Sequence, residues 1–144
     1  MKILFDTNII IDVLQDRKPW NEDSKKLFLA VADEKIDGYV TAKELCDIWY
    51  LAKQIHKGEE NAQRMAQNYI SKLSHLFNIL DISSEDIITA MSYEHGDFED
   101  AVMMATAERT NMDCIVTRNI KDYAVPFASF SLKSPEELVK KLIQ

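Results

Sequence analysis

The sequence predicts an α/β domain built on a parallel sheet, and three observations carry that reading. Strand-like apolar runs alternate along the chain with segments whose apolar residues fall at helical spacing. The first run, Lys2-Ile3-Leu4-Phe5, lacks the polar alternation of a half-exposed strand, as expected when both faces are covered. The 144 residues contain only three Gly and three Pro, with no internal repeat and no low-complexity tract. One domain spanning residues 1–144 is therefore expected, large enough to bury roughly 70% of its unfolded surface.

The elements follow in order. After the first strand the chain meets Asp6, Thr7 and Asn8, and then Ile9, Ile10, Val13 and Leu14 give a short helix its apolar face. Arg17-Lys18-Pro19 makes a turn. Trp20 opens a second helix running to about Asp33, through Leu27, Phe28, Ala30 and Val31. Gly38-Tyr39-Val40 is a short second strand. The helix from Ala42 carries Leu45, Ile48, Trp49, Ala52 and Ile55, with Gly58 as its C-terminal cap. Ala62, Met65, Ala66, Tyr69, Ile70 and Leu73 complete a helical hairpin, and Phe77-Asn78-Ile79-Leu80 is the third strand.

Ser83 and Asp86 form a capping box for a helix with Ile87, Ile88, Ala90 and Met91. Gly96 breaks it, and a further helix starts at Phe98, burying Ala101, Met104 and Ala105. Cys114-Ile115-Val116-Thr117 is the fourth strand, Asn119 to Tyr123 a short turn or helix, and Ala128-Ser129-Phe130 a weak fifth strand. Ser134-Pro135-Glu136-Glu137 starts the last helix, with Pro at its first position.

Composition excludes several function classes. No stretch reaches the ~20 apolar residues of a membrane span, and the start, cut by Asp6, has no signal-peptide cleavage pattern. Cys46 and Cys114 lack C-x-x-C spacing and sit among apolar residues, so both are expected in the core of a cytoplasmic protein. A net charge of −7 provides no basic footprint for nucleic acid. Phosphate chemistry would need cations recruited from solution.

Acidic or amide side chains recur just after strands or at helix starts: Asp6 with Asn8, Glu44, Asp97 with Asp100, and Asn119 with Asp122. Each alone is explained by helix capping, since Thr41-x-x-Glu44, Asp97-x-x-Asp100 and Asn119-x-x-Asp122 all resemble capping boxes. Together they mean more. In a parallel sheet, every helix that follows a strand begins at the same edge, where ligands bind, although the helix starting near Asp97 follows another helix and is not placed by this rule. Carboxylates gathered there repel one another unless a cation joins them. Mg²⁺ or Mn²⁺ suits such oxygen ligands. His56, His75 and His95 are scattered and show no zinc spacing.

Phe5-Asp6-Thr7-Asn8, Thr41-x-x-Glu44-Leu45, Asp97-Phe98-Glu99-Asp100-Ala101 and Val116-Thr117-Arg118-Asn119-x-x-Asp122-Tyr123 have the order and spacing of the PIN-domain ribonucleases. The chain most resembles the small bacterial VapC-type toxins of toxin–antitoxin pairs, along its whole length. The resemblance implies a doubly wound sheet in the order 3-2-1-4-5 with helices on both faces. It implies a metal-dependent endoribonuclease hydrolysing RNA by metal-activated water, leaving 5′-phosphate and 3′-hydroxyl ends. By position Asp6, Glu44 and Asp100 match the family's metal-binding acids. Asn119 stands where many members carry a fourth Asp, which weakens any second ion unless Asp122 substitutes. Asn8 and Asp97 would support through hydrogen bonds or water. Thr117 would orient a water or a ligand, and Arg118 would hold a substrate phosphate. Lys43, Lys53, Lys57, Arg64 and Lys121 are candidates for a basic rim, and Tyr50 for base stacking. A homodimer and a small antitoxin partner are expected from the family, with the helical hairpin as contact surface.

Two rival readings differ in class. A phosphohydrolase with an Asp nucleophile needs an acid two positions after the first, where Asn8 stands. A non-catalytic, receiver-like phosphoacceptor or binding domain with an acidic Mg²⁺ pocket would use Asp81 after the third strand and Lys133 after the fifth. It leaves Glu44, Asp100 and Asn119 without roles.

Overall fold

The computed structural model describes residues 1–94, 96–123 and 128–143, with Asp122 described in its backbone only. Five parallel strands form one sheet, β1 (Lys2–Phe5), β2 (Asp37–Thr41), β3 (Asn78–Leu80), β4 (Cys114–Val116) and β5 (Ser131–Lys133), in the order β3-β2-β1-β4-β5. Seven helices are described: α1 (Thr7–Leu14), α2 (Asn21–Ala32), α3 (Ala42–Ile55), α4 (Ala62–Leu76), α5 (Ser84–Met91), α6 (Phe98–Arg109) and α7 (Pro135–Ile143). A 3-10 turn covers Ile120–Tyr123.

The pleat of β1 explains its unbroken apolar run. Ile3 and Phe5 point into a core that α1, α2, α3, α4 and α7 close with Ile9, Leu27, Ile48, Leu73 and Leu138. Leu4 points the other way, into a second core with Ala90, Ala101, Met104, Ile115 and Tyr123, under α5 and α6. Phe5, Phe28 and Phe77 meet edge-on in the first core, with centroids 4.9–6.1 Å apart. Gly38 makes room for this cluster, since a Cβ there would stand 2.8 Å from the Phe77 ring and from Val31. No described helix is long and apolar enough to cross a membrane.

Two expectations are corrected. The fifth strand lies three residues later than Ala128–Phe130, because pairing with β4 selects Ser131, Leu132 and Lys133 opposite Cys114, Ile115 and Val116. Phe130 is buried just outside the strand. Cys46 is exposed and only Cys114 is buried. The buried face of α3 runs through Leu45, Ile48 and Ala52, and Cys46 is turned away from it. The strand order also removes the receiver-like reading: β3 lies at the sheet edge, which carries Asp81 away from the central strands. His95 lies outside the described residues.

Candidate active site

All five strands run the same way, so β1, β2 and β4 deliver Asp6, Thr41 and Thr117 to one edge of the sheet. A cavity of about 470 Å³ opens there, and Asp6, Asn8, Glu44, Asp97, Asp100 and Asn119 all stand on its wall. Six residues singled out from four distant segments thus meet in one place. Asp47, Glu99, Lys43 and Tyr50 line it as well. Asp47 follows Glu44 by three residues on α3, a spacing that puts both on one side of a helix.

Asp6 leaves β1 with its backbone N–H bonded to the Val116 carbonyl at 3.0 Å. It occupies the N-cap position of α1 but makes no side-chain capping bond, which leaves its carboxylate turned to the cavity. The buried Thr117 hydroxyl donates to Asp6 Oδ2 at 2.7 Å and accepts from the Asn119 N–H at 3.0 Å. Thr117 therefore ties the end of β4 to the end of β1. Burial pushes the Asp6 carboxyl above its ordinary range, against the pull of the Thr117 hydroxyl, the Thr7 N–H, the Tyr123 hydroxyl and the Asn8 N–H.

Glu44 is 3% exposed and its carboxylate is held at both oxygens. Oε1 accepts from the Thr41 N–H at 2.9 Å and Oε2 from the Thr7 hydroxyl at 3.1 Å. The Thr41 hydroxyl accepts from the Glu44 N–H, completing the capping box of α3. Capping and site placement are here one arrangement. Burial pushes Glu44 up to about 8, with the Asp6 charge adding to the effect.

Asp97 caps α6, accepting the Asp100 N–H at 3.0 Å, and so sets the first turn from which Asp100 reaches the wall. Tyr123, 1% exposed, turns its hydroxyl toward Asp6 and Asp100. Burial raises its proton affinity, and the charges of Asp6, Asp100 and Glu44 raise it further. The backbone of Asp122 belongs to the 3-10 turn, and its side chain lies outside the described residues.

Arg118 does not stand on the cavity wall. Its Nε lies 2.7 Å from Asp12 Oδ2, an Nη donates to Asp12 Oδ1 at 3.1 Å, and the guanidinium stacks on Trp20 at 4.2 Å. Asp12 is fully buried on α1 and needs a cation, so the arginine is drawn to it and away from the cavity. Of the rim candidates, Lys43 reaches the wall, paired with Asp47 at 2.5 Å and Glu99 at 3.1 Å. Lys53 instead lies over the Trp49 ring at 5.2 Å.

Among the described residues no three His, Cys, Asp or Glu side chains form a ready-made metal cage. The wall offers two buried carboxylates, Asp6 and Glu44, with no cationic side chain among the described residues holding either in its charged form. All-oxygen donors of this kind fit a hard dication that keeps much of its water, and they do not fit zinc.

Comparison with known proteins agrees with this fold. A family profile described as PIN domain matches residues 2–121. No curated protein matches the chain. Among solved structures, a toxin–antitoxin complex from Klebsiella pneumoniae is 24% identical at a TM-score of 0.64, covering 92% of this chain and 97% of its own. VapBC2 from Rickettsia felis, bound to a DNA fragment from the promoter, is 17% identical at 0.65, over 93% and 98%. VapC20 from Mycobacterium tuberculosis, a sarcin–ricin loop cleaving toxin, is 14% identical at 0.59, over 78% and 86%. At such identities the likeness is one of fold.

Proposed function

This chain belongs to the PIN domain family, and from that premise we propose that it is a Mg²⁺- or Mn²⁺-dependent endoribonuclease, the toxin of a toxin–antitoxin pair. The observation that carries the proposal is the convergence of Asp6, Glu44 and Asp100, from three separate segments, on one cavity wall. Asp6 and Asp100 would hold the cation directly. Glu44, with both oxygens already accepting hydrogen bonds, would reach it through water. Asn119 adds a neutral oxygen, and Asp122 is the acid nearest to it in sequence.

A divalent ion supplies, when bound, the Lewis acidity that makes water a nucleophile near neutral pH and offsets charge on the phosphodiester. The chain's own residues prepare the site. Thr117 fixes the Asp6 carboxylate, and the Asp97 cap fixes the turn that carries Asp100. Asn8 offers an amide at the wall, and Tyr50, 59% exposed at the same cavity, offers a ring on which a base can stack. Lys43 is the cation at hand for the RNA backbone, at the expense of its pairing with Asp47 and Glu99. Hydrolysis by this route leaves 5′-phosphate and 3′-hydroxyl ends.

The partners belong to the same reading. The Klebsiella and Rickettsia structures are toxin–antitoxin assemblies, and a small antitoxin covering the acidic cavity is the expected partner here. A cytoplasmic homodimer follows from the family, with the α3–α4 hairpin as a contact surface. The test is induced expression of the parent and of Asp6→Asn, with cellular RNA profiled afterwards. Growth arrest with cleaved RNA from the parent alone supports the reading. Equal harm from both chains, or intact RNA with both, removes it.

A further inference from the structure

Trp20 is held in place by a chain of two contacts. Asp12, fully buried on α1, pairs with the Arg118 guanidinium, and the guanidinium stacks on the Trp20 ring at 4.2 Å. Trp20 nevertheless remains 47% exposed, and the exposed part of so large a ring contributes nothing to the fold by burial. It stands on the wall of a second cavity, of about 420 Å³, together with Arg118, Asp23, Ser134 and Glu136. Arg118 and Ser134 follow β4 and β5, so this cavity opens at the same edge of the sheet as the acidic one. The two cavities flank one loop: Arg118 lines the second and Asn119 the first, consecutive residues with Cα atoms about 3.8 Å apart.

Resting on the nuclease reading above, we propose that this second cavity is a nucleobase subsite, in which Trp20 stacks on a guanine flanking the cut. A ring already held in place loses little freedom when a base arrives, which makes it a good stacking platform. The charges select a base over a phosphate. Arg118 is committed to Asp12, while Asp23 and Glu136 repel a phosphate. Lys26 takes Asp23 Oδ1 at 2.8 Å and Lys140 takes Glu136 Oε1 at 2.6 Å, in surface pairs along their own helices that hold little energy. Each carboxylate keeps a second oxygen to accept from a base edge. Guanine presents N1–H and N2–H side by side, a donor pair that one carboxylate can accept, whereas uracil presents a single N–H between two carbonyls.

The test uses the full chain with Trp49→Phe, which leaves Trp20 as the sole indole, and Asp6→Asn, so that RNA is bound without being cut. Trp20 fluorescence is followed as a short guanine-containing RNA, an all-uridine RNA of equal length or an arginine-containing peptide is added. The inference expects quenching at about tenfold lower concentration of the guanine RNA than of the uridine RNA. Asp23→Asn with Glu136→Gln should erase that difference and keep the quenching. With Asp6 intact, the ends cut from a random-sequence RNA pool in Mg²⁺ should share a guanine at one fixed place beside the cut. Trp20→Ala should lose that bias and raise KM about tenfold, and Trp20→Phe should keep the bias. Equal quenching by both RNAs, quenching by neither, or an unchanged cutting bias in Trp20→Ala overturns the inference. Quenching by the peptide alone also overturns it, assigning the cavity to a protein partner. Guanine-selective quenching in a parent that cuts no RNA supports the subsite and removes the nuclease reading instead.

Discussion

Thr117 Oγ1 stands 2.7 Å from Asp6 Oδ2 and joins the ends of two adjacent strands, β4 and β1, across 111 residues of sequence. The same oxygen accepts the Asn119 N–H, so one hydroxyl sets both an acid and an amide of the cavity. Thr117→Val keeps the shape and removes the bond. Losing a buried hydrogen bond to a carboxylate costs about 1–3 kcal/mol. Urea unfolding should report that loss, RNA cleavage should fall with it, and Thr117→Ser should restore both.

Glu44 gives the empty protein a specific pH dependence. Its folded value, about 8, lies above the ordinary 4.5, so the folded state holds this proton more tightly than the unfolded chain. The resulting stability is fully present below pH 4.5 and is lost as pH rises through about 8. Melting temperatures in EDTA should therefore fall across that window, and Glu44→Gln should flatten this part of the profile. Mg²⁺ should recover more stability at pH 8 than at pH 5, because the cation favours the ionised carboxylates.

Arg118 is expected to act on stability. With Asp12 fully buried, Arg118→Ala leaves a charge with, among the described residues, only Arg17, 3.8 Å away, to offset it. Breaking a buried pair costs about 3–5 kcal/mol, and denaturant unfolding should show a loss near the lower end of that range. RNA binding by the fraction that remains folded should keep its salt dependence. A phosphate-holding arginine would give the opposite pattern, with stability intact and a shallower salt slope.

Gly38→Ala tests the packing beneath the site. The added methyl meets the Phe77 ring and Val31 at 2.8 Å, and overpacking of this kind costs about 1–3 kcal/mol. Thermal melting should record it, while Mn²⁺ affinity stays at the parent value because the cavity wall is not touched.

The meeting of Asp6, Asn8, Glu44 and Asn119 was legible because parallel strands end at one edge, whereas the sheet order and the place of Asp97 and Asp100, whose helix follows another helix, leaned on the family resemblance. Two features were hidden for physical reasons. The place of Arg118 depends on the burial of Asp12, whose helix position suggested neither a core residue nor an ion pair. The fifth strand is defined by its partner β4, and Ser131-Leu132-Lys133 carries little strand signal of its own. Cys46 is different: the stripe of Leu45, Ile48 and Ala52 already turned it outward.

On the proposed function, these acids bind a divalent ion that is required for cutting RNA. It is tested most directly by incubating the purified parent and Asp6→Asn with total RNA, in Mg²⁺ and in EDTA, and mapping the ends formed. The account predicts 5′-phosphate ends from the parent in Mg²⁺, none in EDTA, and a loss of at least about a hundredfold in Asp6→Asn, as for removal of an essential transition-state contact. Cleavage that persists in EDTA, or that Asp6→Asn performs as fast as the parent, would contradict it.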